Sequence, residues 1–147
     1  MNHDETFAPV SRLVTLRTAV ALAAIRGWET RQFDVENAYL HGDLDKEIYA
    51  EQPEGFDDGT NRVLLLKKGL YGLKQAGMIW NGVMEEKLQG LGYRKTDSDW
   101  ACYTRGDGAI IVAIVDDLSC IYPKKGAWKE DLARLSKSLP IKDLGPV

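Results

Sequence analysis

Two adjacent aspartates, Asp116 and Asp117, directly follow the apolar run Ala109 to Val115 (AIIVAIV) and directly precede a second one, Leu118 to Tyr122. An unbroken apolar run of this length reads as a buried strand. The acid pair then sits at the tip of a tight hairpin. Aspartate is common in hairpin turns, so a purely structural reading of the pair stays open. Two ionised carboxylates side by side repel, however, by about 4 kcal/mol at roughly 4 Å and an effective dielectric near 20. A bound divalent cation would turn that cost into attraction. A third carboxylate, Asp34, lies near the end of the apolar-containing segment Thr30 to Val35. If that segment is a strand beside the hairpin, Asp34 faces Asp116. A few hard oxygen ligands that leave positions open for phosphate and water describe a magnesium site. Two such ions would activate a 3'-hydroxyl and steady a leaving pyrophosphate.

The elements that must position these groups follow from periodicity and turn residues. Ser11 to Gly27 predicts a helix, with Ser11 as N-cap, Gly27 as stop, and Leu13, Leu16, Val20, Ala24 and Ile25 on one face. Thr30 to Val35 predicts a strand, and Asn37 to Leu40 a turn that ends at Gly42-Asp43. Glu47 to Glu51 and Arg62 to Lys67 are strand candidates. Between them, Gln52 to Asn61 (QPEGFDDGTN) is a loop by its Pro, Gly and Asp content. Lys68 to Gly72 is a turn. Gln75 to Leu91 predicts a helix carrying Ile79, Val83 and Leu88, stopped at Gly90 or Gly92. Ala101 to Thr104 and Ala109 to Val115 pair through Arg105-Gly106-Asp107-Gly108. Trp128 to Leu139 predicts a last helix, apolar at Trp128, Leu132 and Leu135. Trp28, Trp80 and Trp100 are assigned to the core. The sum is an α+β fold, a mostly antiparallel sheet with helices packed on one face.

Composition bounds the class. At 147 residues, 44% hydrophobic and 28% charged, the chain suits one globular domain or a piece of a larger protein. No apolar run approaches the roughly 18 residues of a membrane span, and no membrane partner is expected. The N-terminus has no basic start followed by an apolar stretch, so no signal peptide is read there. Two separated cysteines and two histidines make neither a disulfide framework nor a zinc set. The net charge of -3 carries no nucleic-acid footprint by itself, but its distribution is uneven. Nine acids and two bases fall between Arg31 and Thr60, which leaves the remainder net basic, with Lys67-Lys68, Lys74, Arg94-Lys95 and Lys124-Lys125. Solvated faces explain this pattern. So does a basic surface flanking an acidic metal site.

Five stretches recur in one order: TFAPV (Thr6 to Val10), QFDVENAYLHG (Gln32 to Gly42), LYGLKQA (Leu70 to Ala76), VDD (Val115 to Asp117) and KDLG (Lys142 to Gly145). Together they resemble the reverse transcriptase of copia-type LTR retrotransposons, across almost the whole chain. The resemblance implies a polymerase palm with incomplete fingers and no thumb: residues 1–147 as a partial reverse transcriptase domain, truncated at both ends. It implies that Asp34, Asp116 and Asp117 are catalytic and hold two Mg2+ ions, with Mn2+ able to substitute and the Val35 carbonyl as a further ligand. Tyr39 would be the aromatic gate under the incoming sugar, and Gln75 would touch the incoming nucleotide. Each has a plainer reading, Tyr39 as a core tyrosine and Gln75 as a helix-start glutamine, while Lys74 reads as a surface lysine. The implied partners are an RNA template, a DNA primer, deoxynucleoside triphosphates and the rest of a Pol polyprotein. The implied place is the cytoplasm, within a retrotransposon particle.

Two departures stand out. Ile114 replaces the aromatic residue that often precedes VDD, and Met78 stands where the family often has arginine. The expected activity of the parent is RNA-directed DNA synthesis. For the chain alone, a non-catalytic remnant or a binding module from a decayed element is the alternative.

Overall fold

The computed structural model describes residues 10–147, so Thr6 to Pro9 of the TFAPV stretch lie outside the described residues. Helix α1 (Leu13–Arg26) ends at Gly27, which takes φ 64. Glycine enters this left-handed conformation without a Cβ penalty, as the sequence suggests. The helix start differs from expectation. Arg12, not Ser11, holds the N-cap position, and its side chain makes no cap. The cap comes from Asp99. Its Oδ2 accepts hydrogen bonds from the Ser11 hydroxyl at 2.9 Å, the Arg12 N–H at 3.0 Å and the Thr15 hydroxyl at 2.6 Å. A carboxylate this far along the chain satisfies donors that a local side chain usually serves.

Burial acts to raise the Asp99 carboxyl. The bonds from Thr15, the Arg12 and Ala101 N–H groups and Ser11 outweigh it, and the net shift is downward from 3.8. A lowered folded value means a contribution that is complete above the unfolded pKa and lost as pH falls through the folded one. Acidification below about pH 4 is therefore expected to loosen α1. In Asp99→Asn the helix should already be loosened at neutral pH and lose that acid dependence. Amide exchange of Thr15 and Leu16 across a pH series checks both outcomes.

The buried face of α1 also differs from the periodic reading. Ala19 and Ala23 are buried and Leu16 partly so, while Leu13 and Ile25 are 58% and 81% exposed. Alanine lets the helix approach the sheet closely, against Cys102, Val112 and Ile121.

Six antiparallel strands form the main sheet: β1 (Glu29–Val35), β4 (Arg94–Lys95), β5 (Cys102–Thr104), β6 (Ile110–Ile114), β7 (Asp117–Tyr122) and β8 (Ile141–Gly145). Their order is β4-β5-β6-β7-β1-β8. A separate two-stranded sheet pairs β2 (Asp43–Ala50) with β3 (Leu64–Lys68). Helices α2 (Ala76–Gly90) and α3 (Trp128–Leu135) complete the elements. No helix of the described residues is long and apolar enough to cross a membrane.

The sheet is apolar on both faces, because β6 and β7 are nearly continuous hydrophobic runs. Ile111, Ala113, Leu118, Cys120 and Tyr122 enter the larger core with Trp80, Met84 and Leu88 of α2 and Leu135 of α3. Val112 and Ile121 point the other way, under α1. The expectation of helices on one face is thus corrected: α2 and α3 cover one face and α1 the other. Trp80 is buried and Trp28 packs against the smaller core, but Trp100 is 64% exposed. Both cysteines are buried and unpaired.

Candidate active site

One end of the β1–β7 pair brings two of the three carboxylates into register. Strand β1 lies between β7 and β8, and its register sets Asp34 directly opposite Asp117. The expected partner was Asp116. A shift of one residue changes which face a side chain takes, and the neighbouring pair Phe33 and Leu118 fixes the register by burying both residues in the core. Asp34 and Asp117 therefore share the opposite face, both half-buried. The Gln32 amide donates to Asp117 Oδ1 at 3.2 Å and fixes its orientation.

Asp116 sits in the turn between β6 and β7 and is exposed. The residue before it, Val115, takes φ 59. Positive φ at the first of two central residues belongs to the hairpin turns whose twist matches their strands, and it is normally given to glycine. For a β-branched residue it is a strained conformation of about 1–3 kcal/mol that its surroundings must hold. Two hydrogen bonds do so. The Trp80 indole N–H donates to the Val115 carbonyl at 2.8 Å, and the Val35 N–H donates to the Asp116 carbonyl at 3.0 Å.

Beyond Val35 the chain turns sharply. Asn37 takes φ 53, and Ala38–His41 form a single 3-10 turn that presents Tyr39. The His41 ring bonds the Glu36 carbonyl at 3.0 Å. Gly69 approaches this turn so closely that a Cβ there would lie 2.7 Å from the Tyr39 carbonyl oxygen. The result is an open cavity of about 610 Å³, with Asp116 and Val115 on one side and Tyr39, Leu70 and Tyr71 on the other. The Tyr39 and Tyr71 rings stand 6.0 Å apart, tilted by 49°.

Asp116 and Tyr39 thus share one cavity, while Asp34 and Asp117 are not in its lining and lie on the sheet face turned away from the core that Tyr39 packs against. Gln75 is half-buried at the start of α2 and lies outside the cavity lining. The residues of that motif that reach the cavity are Leu70 and, more prominently, Tyr71, which is 90% exposed. Its signal in the sequence is an aromatic set between glycines, Gly69 and Gly72. Lys142 was also missed as a neighbour: it pairs in register with Asp34 and forms an ion pair with Glu36. The Glu36 hydrogen bond and charge, with the Asp34 charge behind them, push the Lys142 ammonium up from its ordinary value.

The residues fit divalent cations in donor chemistry. They are hard carboxylate oxygens, grouped at one end of two paired strands, on a side open enough for water and phosphate. Among the described residues no three such side chains form a preformed cage.

Residues 1–147 match a family model described as reverse transcriptase (RNA-dependent DNA polymerase). The chain belongs to this family. The reverse transcriptase chain is 40% identical over 152 residues to the retrovirus-related Pol polyprotein from transposon TNT 1-94 of Nicotiana tabacum, covering 99% of this chain and 11% of that protein. It is 34% identical over 148 residues to the retrovirus-related Pol polyprotein from transposon RE1 of Arabidopsis thaliana, covering 97% and 10%. It is 28% identical over 149 residues to the transposon Ty1-H Gag-Pol polyprotein of Saccharomyces cerevisiae, covering 97% and 8%. This reverse transcriptase chain thus spans about a tenth of the length of the curated relatives it matches. No solved structure matches it.

Proposed function

We propose that the chain supplies the catalytic palm of an RNA-directed DNA polymerase, with Asp34, Asp116 and Asp117 as ligands for two Mg2+ ions and the Val35 carbonyl as a further one. The observation that carries this reading is the Asp34 and Asp117 register pair beside the constrained turn of Asp116, with Tyr39 across the cavity. Bound there, the cations would lower the pKa of a primer 3'-hydroxyl and offset charge on the leaving pyrophosphate. The chain's own residues do the rest. The two β-strands hold the carboxylates at a fixed spacing, and Gln32 orients one of them. The cavity takes the sugar of a deoxynucleoside triphosphate against the Tyr39 ring, which leaves no room for a 2'-hydroxyl. Tyr71 closes the far wall. Template and primer backbones are drawn to the basic stretches outside the acidic site.

Primer extension on an RNA template by the full-length parent protein tests this reading. Asp116→Asn is expected to abolish synthesis, and unchanged synthesis overturns the assignment. A second reading concerns the chain by itself. Asp34 and Asp117 stand in register on one sheet face while Asp116 faces the cavity, an arrangement that favours a chain that binds cations weakly and extends no primer alone. Robust templated extension by the purified chain with Mg2+ or Mn2+ would refute it.

A further inference from the structure

We infer that Trp80 is a positioning residue for the carboxylates, acting through the backbone of the turn that carries Asp116. The inference rests on the reading of Asp34, Asp116 and Asp117 as cation ligands. Trp80 is 2% exposed, and its ring fills the core beneath the sheet. Filling that space requires only an apolar ring. The indole does more, because its N–H reaches the Val115 carbonyl at 2.8 Å. That carbonyl belongs to the residue held at φ 59, the conformation least suited to valine. Tryptophan carries a ring N–H donor that phenylalanine lacks.

The same indole also stands beside the turn that follows the other carboxylate strand. Its ring lies 6.0 Å from that of His41, at 45°, and His41 is bonded to the carbonyl of Glu36, two residues beyond Asp34. One side chain of α2 therefore bonds the Asp116 turn directly and neighbours, through His41, the segment that leaves β1. The Val35 N–H bond to the Asp116 carbonyl ties the turn to β1 and fixes its second peptide, leaving the first to Trp80. A buried donor with one acceptor at this place makes the geometry of the turn depend on that bond.

The test is Mn2+ binding to the purified chain, read by water-proton relaxation. Trp80→Phe keeps an aromatic ring in the core and removes the donor. It is expected to bind Mn2+ about two- to tenfold more weakly, the scale of one lost hydrogen bond. Adding Val115→Gly, whose backbone takes positive φ freely, should restore most of the loss. A merely core-filling role would give no rescue by glycine in the turn. The second readout is the Trp80 indole N–H resonance of the wild-type chain. Mg2+ should shift it, and Asp116→Asn should abolish the shift. Wild-type affinity in Trp80→Phe overturns the inference, as does a resonance that Mg2+ leaves in place, which decides the matter if Trp80→Phe does not fold. Full Mn2+ affinity in Asp116→Asn would instead sink the cation reading itself.

Discussion

Asp131→Ala is expected to cost the fold about 3 kcal/mol, the lower end of the range for breaking a buried ion pair from one side. Asp131 lies on α3 and is 2% exposed. Its Oδ2 accepts the Tyr93 hydroxyl at 2.7 Å and its Oδ1 accepts Arg105 Nη1 at 2.7 Å. The Arg105 guanidinium lies 4.5 Å from the Tyr93 ring centroid. One carboxylate thus ties α3 to the β5–β6 hairpin and to the segment that leads into β4. Removing it leaves a buried hydroxyl without its acceptor, and an arginine held by the exposed Asp107 and a long bond to the Leu91 carbonyl. Arg105 keeps that second partner and is partly open to water, so the loss stays below the largest values for such pairs. Asp131→Asn keeps an oxygen for Tyr93 and should cost less. Urea unfolding followed by tryptophan fluorescence would show the alanine variant's midpoint about 1–3 M lower at an unchanged slope. A change under 1 kcal/mol would mean that Tyr93 and Arg105 find other partners.

The catalytic candidates were more legible in the sequence than their surroundings. The apolar run into Asp116 and Asp117 announces a buried strand and a hairpin tip, and β6, β7 and their turn are there. What periodicity does not carry is packing by small residues. Nothing in the hydrophobic pattern favours Ala19 and Ala23 over Leu13 and Ile25 as the buried face of α1, because closeness of approach outweighs side-chain size there. Strand β8 escapes notice for a related reason. Its residues are mostly exposed at a sheet edge, so Ile141 to Gly145 lacks the alternation of a half-buried strand. The same holds for β4, which is two residues long. α3 ends at Leu135 rather than Leu139, and Ser136 to Leu139 continue as a tighter turn that still buries Leu139. Trp100 was misplaced because an aromatic next to a strand usually packs, whereas here Asp99 and Ala101 turn inward around it. Register is the subtlest case. Sequence brings Asp34 near the acid pair, but only the core packing of Phe33 and Leu118 decides that Asp117 is the residue opposite.

That register makes Asp34→Asn the decisive variant for the cation reading. Like charges directly opposite on paired strands destabilise by several tenths of a kcal/mol to about 1 kcal/mol. Neutralising Asp34 removes both the repulsion from Asp117 on one side and the attraction to Lys142 on the other, so without divalent cation the variant should melt close to the wild-type temperature. With cation the wild type should pull ahead. A ligand that binds only the folded state adds about 2.7 kcal/mol of stability at a hundredfold excess over its dissociation constant. Wild type should therefore gain several degrees on Mn2+ titration, while Asp34→Asn gains little. Divergence of the two melting temperatures with added cation is the signature, because a merely structural aspartate changes stability by the same amount in both conditions. Gln32 bears on the size of the effect. It already holds Asp117 by one hydrogen bond, so Asp117 is oriented before any cation arrives, and Asp34 is the carboxylate whose loss would remove a proposed ligand without disturbing that contact. Equal Mn2+ stabilisation of both proteins would show that Asp34 and Asp117 face each other without serving a common cation, and the polymerase mechanism would then have to place its metals elsewhere.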